Sequence, residues 1–204
     1  MAKDRGEPNL PPATPPAKEM LPVVIKKPGD LPALRIARSG PLHFSADSGY
    51  RYSTPKIPEG ALYLGDSPGG CFWEVTWDAL AGRGTDLQIP KTFLEARRIH
   101  QASFLRPFRL FPAYGAALKK IKANNVGCFN GPYSICKEWA AFIHAWDAKL
   151  DGILYPAARG AGLNLALFGG RVTPADIRFS SPGTPLLDDP DIIRLLIEEQ
   201  IYSF

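Results

Sequence analysis

Residues 35–74 read RIARSGPLHFSADSGYRYSTPKIPEGALYLGDSPGGCFWE, and this stretch decides how the chain is understood. Short extended segments alternate with Gly, Pro and Ser: Leu34–Ala37, Leu42–Phe44 and Ala61–Leu64 each read as a strand. Ser67-Pro68-Gly69-Gly70 then opens a helix over Cys71–Leu80, where Phe72, Val75 and Ala79 recur three and four apart. Glu74 lies on another face of that helix. The same stretch carries Arg35 and Arg51, a tyrosine at the heart of the apolar run (Tyr63) and one glutamate eleven residues later. Cationic forks, a ring to stack on and a carboxylate suit a site that holds an anionic nucleotide and cleaves beside it.

Outward from this stretch the chain alternates in the same way. A strand is expected at Leu21–Lys26, extended or turn material at Pro90–Leu94 and Ala96–Ile99, and a short helix at Tyr114–Ala123. The clearest helix is Tyr133–Lys149, started by Gly131-Pro132 and carrying Ile135, Trp139, Phe142, Ile143 and Trp146 at helical spacing. Two strands follow, Gly152–Tyr155 and Leu163–Phe168, joined by a small-residue loop at 156–162. A last helix covers Asp191–Gln200, with Asp189 as cap and Pro190 in the first turn. Mixed short strands and few long helices make this an α+β domain. Residues 1–21 hold Pro8, Pro11, Pro12, Pro15 and Pro16 and no aromatic ring, which reads as a proline-rich disordered tail before a domain at 22–204.

Composition narrows the function. The 204 residues are 45% hydrophobic and carry a formal charge of +4, far from the basic excess of a dedicated DNA binder. Lys119-Lys120-Ile121-Lys122 reads as a solvated helix face with no interleaved aromatic rings, so direct nucleic-acid binding is not expected. No apolar run has the length of a membrane span, and the first twenty residues have no signal-peptide core. Three cysteines (Cys71, Cys128, Cys136) without C-x-x-C spacing suggest buried thiols in a reduced, cytoplasmic setting. Walker A, dinucleotide-fingerprint and G-x-S-x-G sequences are absent, and His43, His100 and His144 form no ligand pair, so no metal site is expected.

Several blocks together resemble the RES domain family, whose members are toxins usually paired with Xre-type helix-turn-helix antitoxins. The family's R-I-H-R, G-x-R-[FWY] and L-Y-L-[AG] elements and the glutamate on the next helix correspond to Arg35–Arg38, Gly49–Tyr52, Leu62–Gly65 and Glu74. Gly131–Ser134, Asp151–Tyr155 and Leu165–Phe168 match its later blocks. The resemblance implies an ADP-ribosyltransferase-like fold, a mixed sheet of short strands with flanking helices. It also implies NAD as substrate, with cleavage of the nicotinamide–ribose bond and water, phosphate or a protein side chain as acceptor. Such a protein acts in the cytoplasm, its own or that of a target cell.

On this reading Glu74, Arg51 and Tyr63 are the catalytic candidates. Arg35, Arg51, Tyr52, Tyr63, Tyr155 and Ala157 would form the NAD site. Arginine forks would hold the pyrophosphate, Tyr63 would stack on the nicotinamide and Glu74 would stabilise the positive charge that builds on the ribose. The chain departs from the pattern at two places. Ala37 replaces the histidine of R-I-H-R, and Ala157 stands where the family usually has serine, two residues after Tyr155. Ala157 is either a divergence or a replacement that weakens a toxic protein. It keeps open a second reading, a catalytically impaired binding module.

Overall fold

The computed structural model describes residues 10–12, 15–46, 49–80, 87–124, 128–157 and 162–203. Along these the chain forms β1 (Val24–Lys26), β2 (Ala33–Ala37), β3 (Ala61–Gly65), α1 (Pro68–Leu80), β4 (Gln88–Ile89), α2 (Lys91–Glu95), β5 (Arg98–Phe104), β6 (Phe108–Pro112) and α3 (Ala116–Lys120). There follow α4 (Tyr133–Trp146), β7 (Gly152–Pro156), β8 (Leu163–Phe168), β9 (Ile177–Phe179), β10 (Thr184–Pro185), α5 (Pro190–Glu198) and β11 (Tyr202–Ser203). The main sheet runs β1-β6-β7-β8-β3-β2-β5-β10, with β9 also on β5. It is mixed: β6 and β7 are parallel and their neighbours antiparallel. The expected α+β fold with a mixed sheet and flanking helices is present.

Strand alternation divides the core. On β7, Ile153 and Tyr155 face one side and Leu154 the other; on β8, Ala166 and Phe168 oppose Leu165 and Leu167. The first side is covered by α4, whose Cys136, Trp139, Ala140, Ile143 and Trp146 are all buried. The second buries Leu62, Leu64, Phe104, Phe108 and Leu110. A third cluster packs Phe72 and Trp73 of α1 against Ile36, Ile99 and Ile192.

Several expectations need adjustment. α1 begins at Pro68, three residues early, because the Ser67 hydroxyl accepts the Gly70 backbone N–H at 3.1 Å and so caps the turn. α4 stops at Trp146. Asp147 is extended there, and its carboxylate accepts the Lys149 N–H at 2.9 Å, a local bond that competes with another helical turn. Leu42–Phe44 is not a strand; pairing is confined to an isolated bridge between Ser45 and Ala61. Lys91–Glu95 is a short helix behind Pro90, not extended chain. The cap of α5 is as expected, with Asp189 accepting from the Asp191 and Ile192 N–H groups at 3.1 Å each.

Of the proline-rich segment, residues 1–9, 13 and 14 lie outside the described residues. Its last part is tied down. The Trp146 indole donates to the Pro16 carbonyl at 2.9 Å, Lys18–Met20 forms a 3-10 turn and Leu21 is buried. Residues 158–161 of the β7–β8 loop also lie outside the described residues. Lys119, Lys120 and Lys122 are exposed around buried Leu118 and Ile121, a solvated face as expected. No helix among the described residues is long and apolar enough to cross a membrane.

Candidate active site

The β3–α1 connection makes the site possible. At Gly65 a β-carbon would lie 2.7 Å from the Cys71 Sγ and 2.9 Å from the Asn164 Oδ1, so only glycine lets α1 and β8 approach this closely. That approach brings Glu74, on the second turn of α1, over Asn164 of β8. Asn164 Nδ2 donates to Glu74 Oε1 at 2.8 Å. Glu74 is exposed and Asn164 is 2% exposed, so a fixed amide orients a reachable carboxylate.

Both residues line an open cleft of about 180 Å³. Arg35 of β2, Tyr63 of β3 and Tyr155 of β7 line it as well. Arg51 arrives from the turn after Gly49. Its Nη1 donates to Asn130 Oδ1 at 2.6 Å and to the Phe129 carbonyl at 3.1 Å, and its guanidinium lies 5.4 Å from the Tyr133 ring centre. Arg35 Nη1, Arg51 Nε and Asn164 Oδ1 are buried without a hydrogen-bond partner among the described residues. Neither arginine forms an ion pair there. Two guanidinium groups with a buried, unpartnered donor each thus border the same cleft as one carboxylate.

The electrostatics agree. Burial works to lower Arg51, but Tyr52, Glu74, Tyr155 and Cys136 around it outweigh that, and its pKa is raised. Burial lowers Arg35, and the opposing influence of Tyr50 and Cys71 does not outweigh it. The Tyr63 phenol is pushed up to about 12, chiefly by burial. Its oxygen accepts the Tyr52 N–H at 3.0 Å and pairs with Ser53 Oγ at 3.1 Å, so this ring is fixed and neutral. Cys71, also in the cleft, is raised to about 12 by burial, which keeps it a thiol and a poor nucleophile.

The RES domain model matches residues 32–187. The chain belongs to the RES domain family. No curated protein matches it in sequence. Among solved structures it is similar to a chain in the crystal structure of the M. tuberculosis MbcT–MbcA toxin–antitoxin complex. The two share 22% identity and a TM-score of 0.51 over 74% of this chain and 81% of that one. At that identity the likeness is one of fold.

Within this RES domain, Arg35, Arg51, Tyr63, Glu74 and Tyr155 share one cleft. Tyr52 does not line it. Its side chain points into the core, fully buried, with the hydroxyl donating to the Phe129 carbonyl at 2.8 Å and the ring edge-on to Tyr155 at 4.8 Å. Tyr52 therefore supports the floor through Tyr155 instead of meeting a ligand. Ala157 lies just past β7, where its N–H donates to the Gly162 carbonyl at 3.0 Å, and is also absent from the lining. Asn164, Tyr50, Tyr133 and His43, which the sequence does not single out, also line the cleft. For Asn164 a signal existed: it is the single polar residue inside the apolar strand LNLALF. His144 has a structural place, edge-on to Phe168 at 5.0 Å.

Proposed function

We propose that this RES domain is a toxin that cleaves the nicotinamide–ribose bond of NAD. The carrying observation is the meeting of Arg35, Arg51 and Glu74 at one cleft, with guanidinium donors unspent and an exposed carboxylate held by Asn164. The arginines fit a pyrophosphate, which is planar-fork chemistry. As the C1′–N bond breaks, its electron pair leaves with nicotinamide and positive charge grows on the ribose. A fixed carboxylate stabilises that charge. Water, phosphate or a protein side chain then bonds to C1′ and gives up its proton. An antitoxin partner is part of the proposal, supported by the likeness to a chain from a toxin–antitoxin complex.

Incubation with NAD is expected to release free nicotinamide, and mass spectrometry of the second product identifies the acceptor: ADP-ribose, ADP-ribose phosphate or a modified protein. A second reading rests on Ala157 and Ala37, where a hydroxyl and an imidazole are missing: a binding module that holds a nucleotide without cleaving it. Intact NAD after incubation with both this chain and an Ala157→Ser variant overturns the enzyme and leaves the module.

Asn164 is assigned as the residue that positions Glu74. Replacing it with alanine removes the 2.8 Å bond and leaves the carboxylate free to rotate. The expected result is a fall in kcat of about ten-fold, less than the roughly 10²–10³ lost with a group that meets the developing charge itself. KM for NAD should stay near its starting value. A rise in KM with kcat unchanged places Asn164 in binding instead.

A further inference from the structure

Tyr63 is the ring that sequence reading assigns to stacking, but one of its faces is already taken. Tyr50 stacks on it with ring centres 5.6 Å apart and planes 29° from parallel. Paired aromatic rings in direct contact have centres about 4.5–7 Å apart, so no third ring enters between these two. Tyr63 is also immobile, since its strand is paired along its length with β8 and its hydroxyl is held by Tyr52 and Ser53. Tyr50 differs on both counts. It stands on a turn beside Gly49 and is 50% exposed, so one face of its ring is covered by Tyr63 and the rest borders the cleft. Its neighbour Arg51 lines the same cleft, which brings a ring surface and a phosphate-binding fork to one turn.

We infer that Tyr50, backed by Tyr63, is the platform on which the nicotinamide ring of NAD stacks, and that it selects substrates whose leaving group is a flat heteroaromatic ring. The inference rests on the NAD reading above. Two stacked tyrosines give a leaving ring a wall that the fixed inner residue braces, which limits the entropy lost on docking. Tyr63 is then a support and not itself in contact with the ligand.

The test compares the chain with Tyr50→Ala and Tyr50→Phe, using NAD as substrate and ADP-ribose as competitive inhibitor. Loss of one base-stacking contact corresponds to roughly ten-fold or more in affinity. KM for NAD should therefore rise about ten-fold in Tyr50→Ala and return in Tyr50→Phe. The inhibition constant of ADP-ribose, which lacks nicotinamide, should not change. An unchanged KM in Tyr50→Ala overturns the platform while NAD cleavage stands. A lower KM means that Tyr50 occupies the ligand's own place, and overturns it too. Equal weakening of NAD and ADP-ribose moves the contact to the adenine half. NAD left intact by both this chain and its Ala157→Ser variant removes the NAD-cleavage reading itself, and the platform with it.

Discussion

Glu74→Gln is expected to lower the rate of NAD cleavage by about two to three orders of magnitude while the protein melts at an unchanged temperature. The size follows from removing one preorganised charge from beside a developing cation, which elsewhere costs about 10²–10³ in kcat. The specificity follows from geometry. Glutamine keeps an oxygen where Asn164 Nδ2 donates at 2.8 Å, so the local hydrogen bond survives and only the negative charge is lost. Glu74 is exposed on α1, and exposed substitutions typically shift stability by no more than about 0.5 kcal/mol. Glu74→Ala, which also abandons the Asn164 amide, should be no more active. Growth arrest on expression in cells should disappear with either variant. Wild-type rates in Glu74→Gln would falsify the assignment of the charge-stabilising role.

Why the 35–74 stretch was legible, and Asn164 not, has a physical reason. Arg35, Arg51, Tyr63 and Glu74 fall in one run of sequence that folds as β2, turn, β3 and α1, so local order along the chain carries much of the spatial order. Asn164 comes from 90 residues later and reaches Glu74 only because β8 pairs with β3 in the register that sets Asn164 opposite Gly65. Residue types do not specify that register. Tyr133 and Asn130 reach Arg51 across a similar gap. The same limit explains the fold. α4 was legible from its apolar period. β6 (FRLFP) was not, being five residues between Pro107 and a terminal proline, and its parallel pairing with β7 is a purely tertiary fact. Tyr52 shows the reverse error. It shares a motif with Arg51, but the motif lies on a turn, where sequence spacing does not fix which way each side chain points, and its ring went to the core.

Arg106→Ala is expected to destabilise the domain by about 3 kcal/mol, the low end for breaking a buried ion pair because the arginine itself is partly exposed. For a chain of this size that is a drop in Tm of roughly 6–12 °C. Arg106 binds Asp151 with both terminal nitrogens, at 2.8 and 3.1 Å, and reaches Asp176 with Nε at 2.8 Å and the Arg171 carbonyl at 2.9 Å. The Asp151 side chain is only 9% exposed, so the variant strands a buried carboxylate whose remaining partner is the Arg109 backbone N–H at 2.8 Å. An Arg106→Ala, Asp151→Ala double variant should therefore lose less than the sum of the two single losses. The pH dependence has a definite sign. Burial alone would raise the Asp176 carboxyl, but hydrogen bonds from Thr173 and Arg106 prevail and hold it below its ordinary value of 3.8. A carboxyl depressed on folding stabilises above its unfolded pKa and loses that contribution as pH falls through the folded one. The gap between wild type and Arg106→Ala should thus be full at neutral pH and shrink below about pH 3.8. Asp151 sits at the entry to β7, which carries Tyr155 to the cleft floor, yet no atom of this network lines the cleft. NAD cleavage per folded molecule should be unaltered at low temperature and fail only as the variant unfolds. A change in kcat at temperatures where both proteins are folded contradicts a purely structural role for the pair.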